Sequence, residues 1–217
     1  MKSYDMAALQ PREAYKLITG VVQPRPIAWV STLSRAGTRN LAPFSFFTIA
    51  SREPVTLFLS VGATDRPGHQ SKDTLANLLD THELVVNIVS APMLETMVRS
   101  SAEVPEHVDE FDYAGLEEAP SHDVAPPRVA RALVSIECRL EETRRVGTDT
   151  TVFARVLRLH AHEDVVNASH HVDTEALRPV GRTAGATYNT YTDVMPSPPV
   201  PQWSFDQERE VQEVNAP

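Results

Sequence analysis

Between residues 27 and 61 the chain reads as three runs of strand formers. The runs 27–34 and 39–50 flank Arg35-Ala36-Gly37-Thr38, a short Gly-containing turn, so they pair as a hairpin. In the third, 55–61, Val55, Leu57 and Leu59 alternate with Thr56, Phe58 and Ser60, which puts apolar residues on both faces and predicts a central strand. Residues 83–89 predict another strand. In 133–141, Val134, Ile136, Cys138 and Leu140 share one face, and Ser135, Glu137 and Arg139 the other. That alternation predicts one face in a core and one in water. A second long strand, 151–162, follows the turn Gly147-Thr148-Asp149-Thr150.

Helical spacing is confined to short stretches. Residues 12–20 predict a helix closed by Gly20. Ser71 is expected to cap a second, with Leu75, Leu78 and Leu79 on one face. Ser90 is expected to cap a third carrying Met93, Leu94, Met97 and Val98, and 173–177 predicts a last short one. Residues 103–127 are polar and Pro-rich without a clear period; a loop that long in a compact domain is uncommon and often functional. Hairpin strands with a few short helices predict a mainly β fold, a β-barrel with helical lids.

Composition narrows the setting. At 217 residues the chain can bury a sizeable core, and 41% hydrophobic content fits a globular protein. A net charge of −9 argues against nucleic acid or an anionic membrane as partner. The single cysteine, Cys138, allows no intramolecular disulfide and reads as a small buried hydrophobe. No stretch approaches a membrane span and Met1–Gln10 lacks a signal-peptide pattern, so a reduced, cytoplasmic location is expected. His160, His162, His170 and His171 cluster in sequence, but no Cys or carboxylate completes a metal-ligand spacing, and no metal is expected.

The candidate chemistry lies in the first hairpin. Arg25-Pro26-Ile27-Ala28-Trp29-Val30-Ser31-Thr32 and Asn40-Leu41-Ala42-Pro43-Phe44-Ser45-Phe46-Phe47 mix aromatic residues with hydroxyl and amide side chains. Flat apolar surface beside hydrogen-bonding groups suits a flat, polar-edged aromatic cofactor.

These two runs resemble the flavin reductase-like family of FMN-binding split β-barrels, which includes the flavoredoxins. The resemblance continues through Ser71-Lys72-Asp73-Thr74, Val86-Asn87, Glu110-Phe111, Ala114-Gly115-Leu116, Pro126-Pro127-Arg128-Val129, Glu137-Cys138 and Arg182 with Gly185 and Tyr188. It implies a domain over 12–192, a Greek-key-like antiparallel barrel with helical lids; the Pro-rich and then acidic tail, 193–217, which holds Trp203 and Phe205, lies outside the resemblance. It further implies a homodimer with FMN near the dimer interface. NADH or NADPH would be the co-substrate, passing hydride to the flavin, and a partner monooxygenase is a possible recipient of reduced flavin. A flavin-dependent oxygenase or electron carrier, and a non-catalytic flavin-binding dimer, are the alternatives.

On this resemblance Trp29, Ser31 and Thr32 lie beside the flavin ring. Ala42, Ser45, and one of Phe46 and Phe47 lie on the second contact strand, with Asn40 at its start; the other Phe belongs to the core, since neighbours on a strand point to opposite faces. Ser71, Lys72 and Thr74 would hold the phosphate at a helix N-terminus, with Arg25 or Arg182 as a second cation. Hydride transfer needs placement of two rings at about 3–3.5 Å rather than an acid–base residue, so no catalytic side chain is expected. Where the family has Leu-Gly, this chain has Thr183-Ala184, which puts the close approach of that loop in question. No Gly-rich dinucleotide fingerprint is present, so the nucleotide would bind on the flavin face.

Overall fold

The computed structural model describes residues 1–64, 69 and 71–190. Helix α1 (Pro11–Val21) leads into β1 (Arg25–Pro26), β2 (Ala28–Leu33), β3 (Arg39–Phe44), β4 (Phe47–Arg52) and β5 (Val55–Val61). Next come α2 (Asp73–Thr81), β6 (Glu83–Ile88), α3 (Leu94–Arg99) and α4 (Glu110–Ala114). The short β7 (Glu118–Ala119) and β8 (Arg128–Val129) precede the long β9 (Val134–Val146) and β10 (Asp149–Ala161). Helix α5 (Thr174–Leu177), β11 (Val180–Arg182) and β12 (Tyr188–Thr190) complete the described part. The 193–217 tail, with Trp203 and Phe205, lies outside the described residues.

Among the described residues, seven strands form one antiparallel sheet in the order β3-β2-β6-β9-β10-β5-β4. Its two edges, β3 and β4, are joined by Ser45 and Phe46 alone. Seven flat strands would hold those edges about 29 Å apart. The three Cα steps from Phe44 to Phe47 span at most about 11 Å. The sheet must therefore curl into a barrel. β3 and β4 are not hydrogen-bonded neighbours, so the barrel stays split between them. This is why the expected strand 39–50 is two strands: the chain crosses from one sheet edge to the other at 45–46.

Two apolar clusters follow from the curl. Ala28, Val30, Leu57, Leu59, Leu84, Val86, Cys138 and Val152 fill the barrel. Ile27, Trp29, Leu41, Met97, Phe111 and Val180 form a second layer outside it, beneath α3 and α4. β2 contributes to both, so its side chains are buried on each face and lack a polar alternation. Burial pushes the Cys138 thiol up to about 12, as expected of a buried hydrophobe.

Several sequence expectations need correction. The face of β9 bearing Ser135 and Glu137 is not in water; both are buried. The 120–130 segment lies over it, with the N–H groups of His122 and Asp123 donating to Glu137 at 2.7 and 2.5 Å. The 103–127 stretch contains α4, capped by the Asp109 carboxylate, which accepts the Phe111 N–H at 2.8 Å. Ser71 does not cap α2; Lys72 is the N-cap residue and makes no side-chain cap bond. Leu79 is exposed while Leu75 and Leu78 are buried. Gly20 lies inside α1, which runs on to Val21. Ser90 heads a single 3-10 turn, Ala91–Met93, ahead of α3.

Candidate functional site

The site is built on the open edge of β3. Leu41 turns its N–H away from β2 to Glu110 Oε2, at 3.3 Å. Alternation along an antiparallel strand puts the backbone of Pro43 on the same open side. Proline suits that position because no ladder bond is lost there. Its carbonyl is left facing outward as an acceptor.

Two cavities adjoin along this edge and share Pro43, Phe44 and Ser101. The larger, about 710 Å³, lies between α1, β1, the β3–β4 crossing and the β11–β12 hairpin. The smaller, about 210 Å³, lies between β3, the start of α2 and Ser100–Val104. Together they have the size of a cofactor site.

The larger cavity is cationic in an acidic chain. Arg12, Lys16, Arg25 and Arg182 line it, against one carboxylate among the described residues, Glu13, which accepts the Gln10 N–H at 3.1 Å. Such a concentration of cations focuses anions. Arg25 donates through Nη1 to Thr19 O at 2.7 Å and Val22 O at 2.6 Å, the carbonyls at the end of α1. Its Nε is buried and has no partner among the described residues. Arg182 donates to the Tyr188 hydroxyl and to Gly185 O at 2.7 Å, with its guanidinium 4.6 Å from the Tyr188 ring centre. Tyr15, Phe44 and Tyr188 line it too, so the wall is also aromatic; behind it Phe46 packs on Tyr15 at 6.3 Å between centroids and lies 5.9 Å from the Arg25 guanidinium.

A buried polar network underlies the smaller cavity. Asn40 Oδ1 accepts the hydroxyls of Thr74 at 2.7 Å and Thr32 at 3.1 Å. Asn40 Nδ2 donates to Glu110 Oε1 at 2.8 Å, and Asn77 donates to Thr32 at 3.1 Å. These bonds fix the first turn of α2 against β2 and β3. Lys72 lines the cavity beside that turn. Burial is the main cause that raises the Glu110 carboxyl to about 7; the bonds from its own backbone N–H, Leu41 and Asn40 lower it, and the nearby Asp73 raises it.

The expected site residues separate into two groups. Asn40, Ala42, Lys72 and Thr74 line the smaller cavity, and Ser45 and Arg182 the larger. Phe46 lines neither cavity but packs behind Tyr15 and Arg25, and Phe47 packs against the barrel core. Trp29, Ser31 and Thr32 are not brought to either cavity, because both faces of β2 are covered. Trp29 donates to Ser100 Oγ at 2.9 Å and so props the segment that lines both cavities. Ser31 donates to Pro127 O at 2.5 Å. Ser71 is half-buried and lines neither cavity. The 183–187 loop stays tight despite Thr183-Ala184: Gly185 takes the positive φ, and Ala184 N–H reaches Gln23 Oε1 at 3.0 Å. Sequence reasoning missed Arg12, Tyr15, Lys16 and Thr19. The available signal was their i, i+3 and i+4 spacing along one face of α1.

An antiparallel split barrel with an aromatic, cationic cleft along its open edge defines a class of cofactor-binding barrels. Residues 23–177 match the model of the flavin reductase like domain, and the chain belongs to that family. An uncharacterized protein of Aquifex aeolicus is 41% identical over 174 residues, covering 80% of this chain and 88% of that protein. Nitrilotriacetate monooxygenase component B from Bacillus cereus has a similar structure, with a TM-score of 0.86 at 28% identity over 91% of this chain and 98% of that one. The 2-nitrobenzoate 2-nitroreductase NbaA of Pseudomonas fluorescens gives 0.84 at 29% identity over 94% and 99%. Among the described residues no helix is long and apolar enough to cross a membrane.

Proposed function

We propose that the protein is an FMN-binding oxidoreductase that accepts hydride from NADH or NADPH, and that its reduced flavin serves a separate acceptor. The observation that carries this reading is the pair of adjoining cavities along the unpaired edge of β3, cationic and aromatic at one end and set against the start of a helix at the other. The residues present fit the cofactor. A flat ring needs an apolar wall and hydrogen-bonding edges, which Tyr15, Phe44, Ser45 and the outward carbonyl of Pro43 offer. Arg25, whose Nε has no partner among the described residues, adds a cation to the same wall. A phosphate is favoured by a cation and the positive end of a helix, and Lys72 at the start of α2 supplies both.

When bound, FMN supplies a two-electron acceptor for hydride. The protein's own part is placement. Ser45 and the β3 edge orient the polar rim, Lys72 holds the anionic end, and Arg182, stacked on Tyr188, is fixed where a nucleotide's anionic groups would approach. A second copy of the chain would cover Tyr15, Ile18, Val21 and Ile49, which are exposed here. A partner oxygenase is supported by the likeness to a monooxygenase component B.

A second reading has support from the likeness to a nitrobenzoate nitroreductase and from the cations beside the aromatic wall. Under it the acceptor is an aromatic acid bound in the same cleft. Anaerobic mixing of the full chain with FMN and each nicotinamide nucleotide tests the main reading. Bleaching of the visible flavin band is expected with at least one nucleotide; no bleaching with either overturns it.

A further inference from the structure

We propose that Glu110 holds a proton against the anionic end of the cofactor in the smaller cavity, so that cofactor binding takes up a proton from solvent. The inference rests on the FMN reading above. Glu110 is 7% exposed, yet with Asn40 and Asp73 it lines both the smaller cavity and a neighbouring one of about 500 Å³. Its side-chain contacts are N–H donors: its own backbone N–H, Asn40 Nδ2 at 2.8 Å to Oε1 and Leu41 N at 3.3 Å to Oε2. None of these nitrogens can accept a proton. The one oxygen nearby on Asn40 already accepts from Thr32 and Thr74. A protonated Glu110 therefore has an O–H that its present partners leave unsatisfied, and a buried unsatisfied donor is costly. A phosphoryl oxygen in the smaller cavity supplies the acceptor.

The charges around Glu110 favour the same outcome. Asp73, in the first turn of α2, opposes ionisation of Glu110. Arg39 on β3 is the nearest fixed cation on that strand, but its guanidinium is held by Asp109, Asp112 and Glu118. Lys72 and Glu103 face the smaller cavity, and Glu106 and His107 the neighbouring one. A phosphate dianion entering beside Asp73 and an ionised Glu110 meets like charge. Taking a proton onto Glu110 removes one negative charge and forms an O–H···O bond. The proton comes from solvent and no bond in the cofactor is broken. Burial already holds this carboxyl near neutrality, so uptake falls in an accessible range.

The test is calorimetric titration of the full chain with FMN and with riboflavin, in buffers of different ionisation enthalpy. Above about pH 7.5 a phosphate monoester has already lost its second proton, so it contributes no uptake of its own. FMN is expected to bind with proton uptake there and riboflavin without it. FMN affinity is expected to fall with rising pH, approaching about tenfold per pH unit. Glu110→Gln should abolish both effects. Equal uptake for FMN and riboflavin in the wild type overturns the inference, whether or not the variant folds. An unchanged pH dependence in a folded Glu110→Gln does the same. Absence of FMN binding at every pH overturns the cofactor reading and the inference with it, whereas FMN binding without uptake overturns the inference alone.

Discussion

Glu137 on β9 and His160 on β10 are diagonal neighbours across the strand pair, with Oε1 and Nε2 2.5 Å apart. The carboxylate is fully buried and also takes the N–H groups of His122 and Asp123. It thereby pins the 120–127 crossing to the barrel wall, on the side where Pro127 O accepts from Ser31.

That clamp makes stability depend on acid. Burial acts to raise the pKa of Glu137, but the bonds from Asp123, His122 and His160 together outweigh it and leave the carboxyl lowered from 4.5. A lowered carboxyl contributes stability that is present above its unfolded pKa and lost as pH falls through the folded one. The urea midpoint of the wild type should therefore drop as pH falls below about 4.5. Glu137→Gln should cost about 1–3 kcal/mol at neutral pH, since a buried donor loses its acceptor, and should flatten the acid limb. Denaturation curves over that pH range read both effects.

Arg39 joins β3 to the 103–119 segment. It donates to Asp109 at 2.5 Å, Asp112 at 2.8 Å and Glu118 at 2.8 Å, and lies 5.4 Å from the Phe111 ring. Asp109 also caps α4, so losing Arg39 loosens the helix that carries Glu110. Arg39→Ala is expected to speed amide exchange in 110–114 by about tenfold or more, with the barrel strands unchanged. Uniform acceleration across the chain would instead mean global destabilisation.

Cys138 should be inert in the folded protein. Its thiol is buried and held near 12, so almost no thiolate exists at neutral pH. A thiol reagent should modify it only in denaturant. Rapid labelling of the native chain would contradict the packing described.

Gly181 is needed for close approach rather than for a turn. A Cβ there would lie 2.7 Å from Asn189 Oδ1 and 3.0 Å from Pro24 Cβ. Gly181→Ala should push β1, β11 and β12 apart and displace Arg182. A lower melting temperature together with weaker flavin binding is the expected pair of effects.

Much of this architecture was legible in the sequence because local rules and tertiary packing agree. The hairpin around Gly37 forms as its turn predicts, with φ +87° at that glycine. β9 and β10 pair along their length around Gly147. The failures share one cause: a second layer covers residues that look solvent-facing in one dimension. Glu137 reads as a wet strand position until the 120–130 crossing covers it. Trp29 and Ser31 read as ligand contacts because an aromatic ring and a hydroxyl share a face of β2, but that face is covered by α3, α4 and the segment around Pro127. The spacing of Arg12 and Lys16 marks one face of α1, but nothing local says that this face closes a cleft formed by strands far along the chain.

Equilibrium titration of flavin-free protein with FMN and riboflavin, for wild type and Lys72→Ala, tests most directly where the cofactor lies. With the ring along the β3 edge and the phosphate beside Lys72, FMN should bind more tightly than riboflavin. The variant should lose about tenfold or more for FMN, roughly 1.4 kcal/mol, and little for riboflavin. Equal affinities for both flavins, unmoved by Lys72→Ala, would contradict the placement.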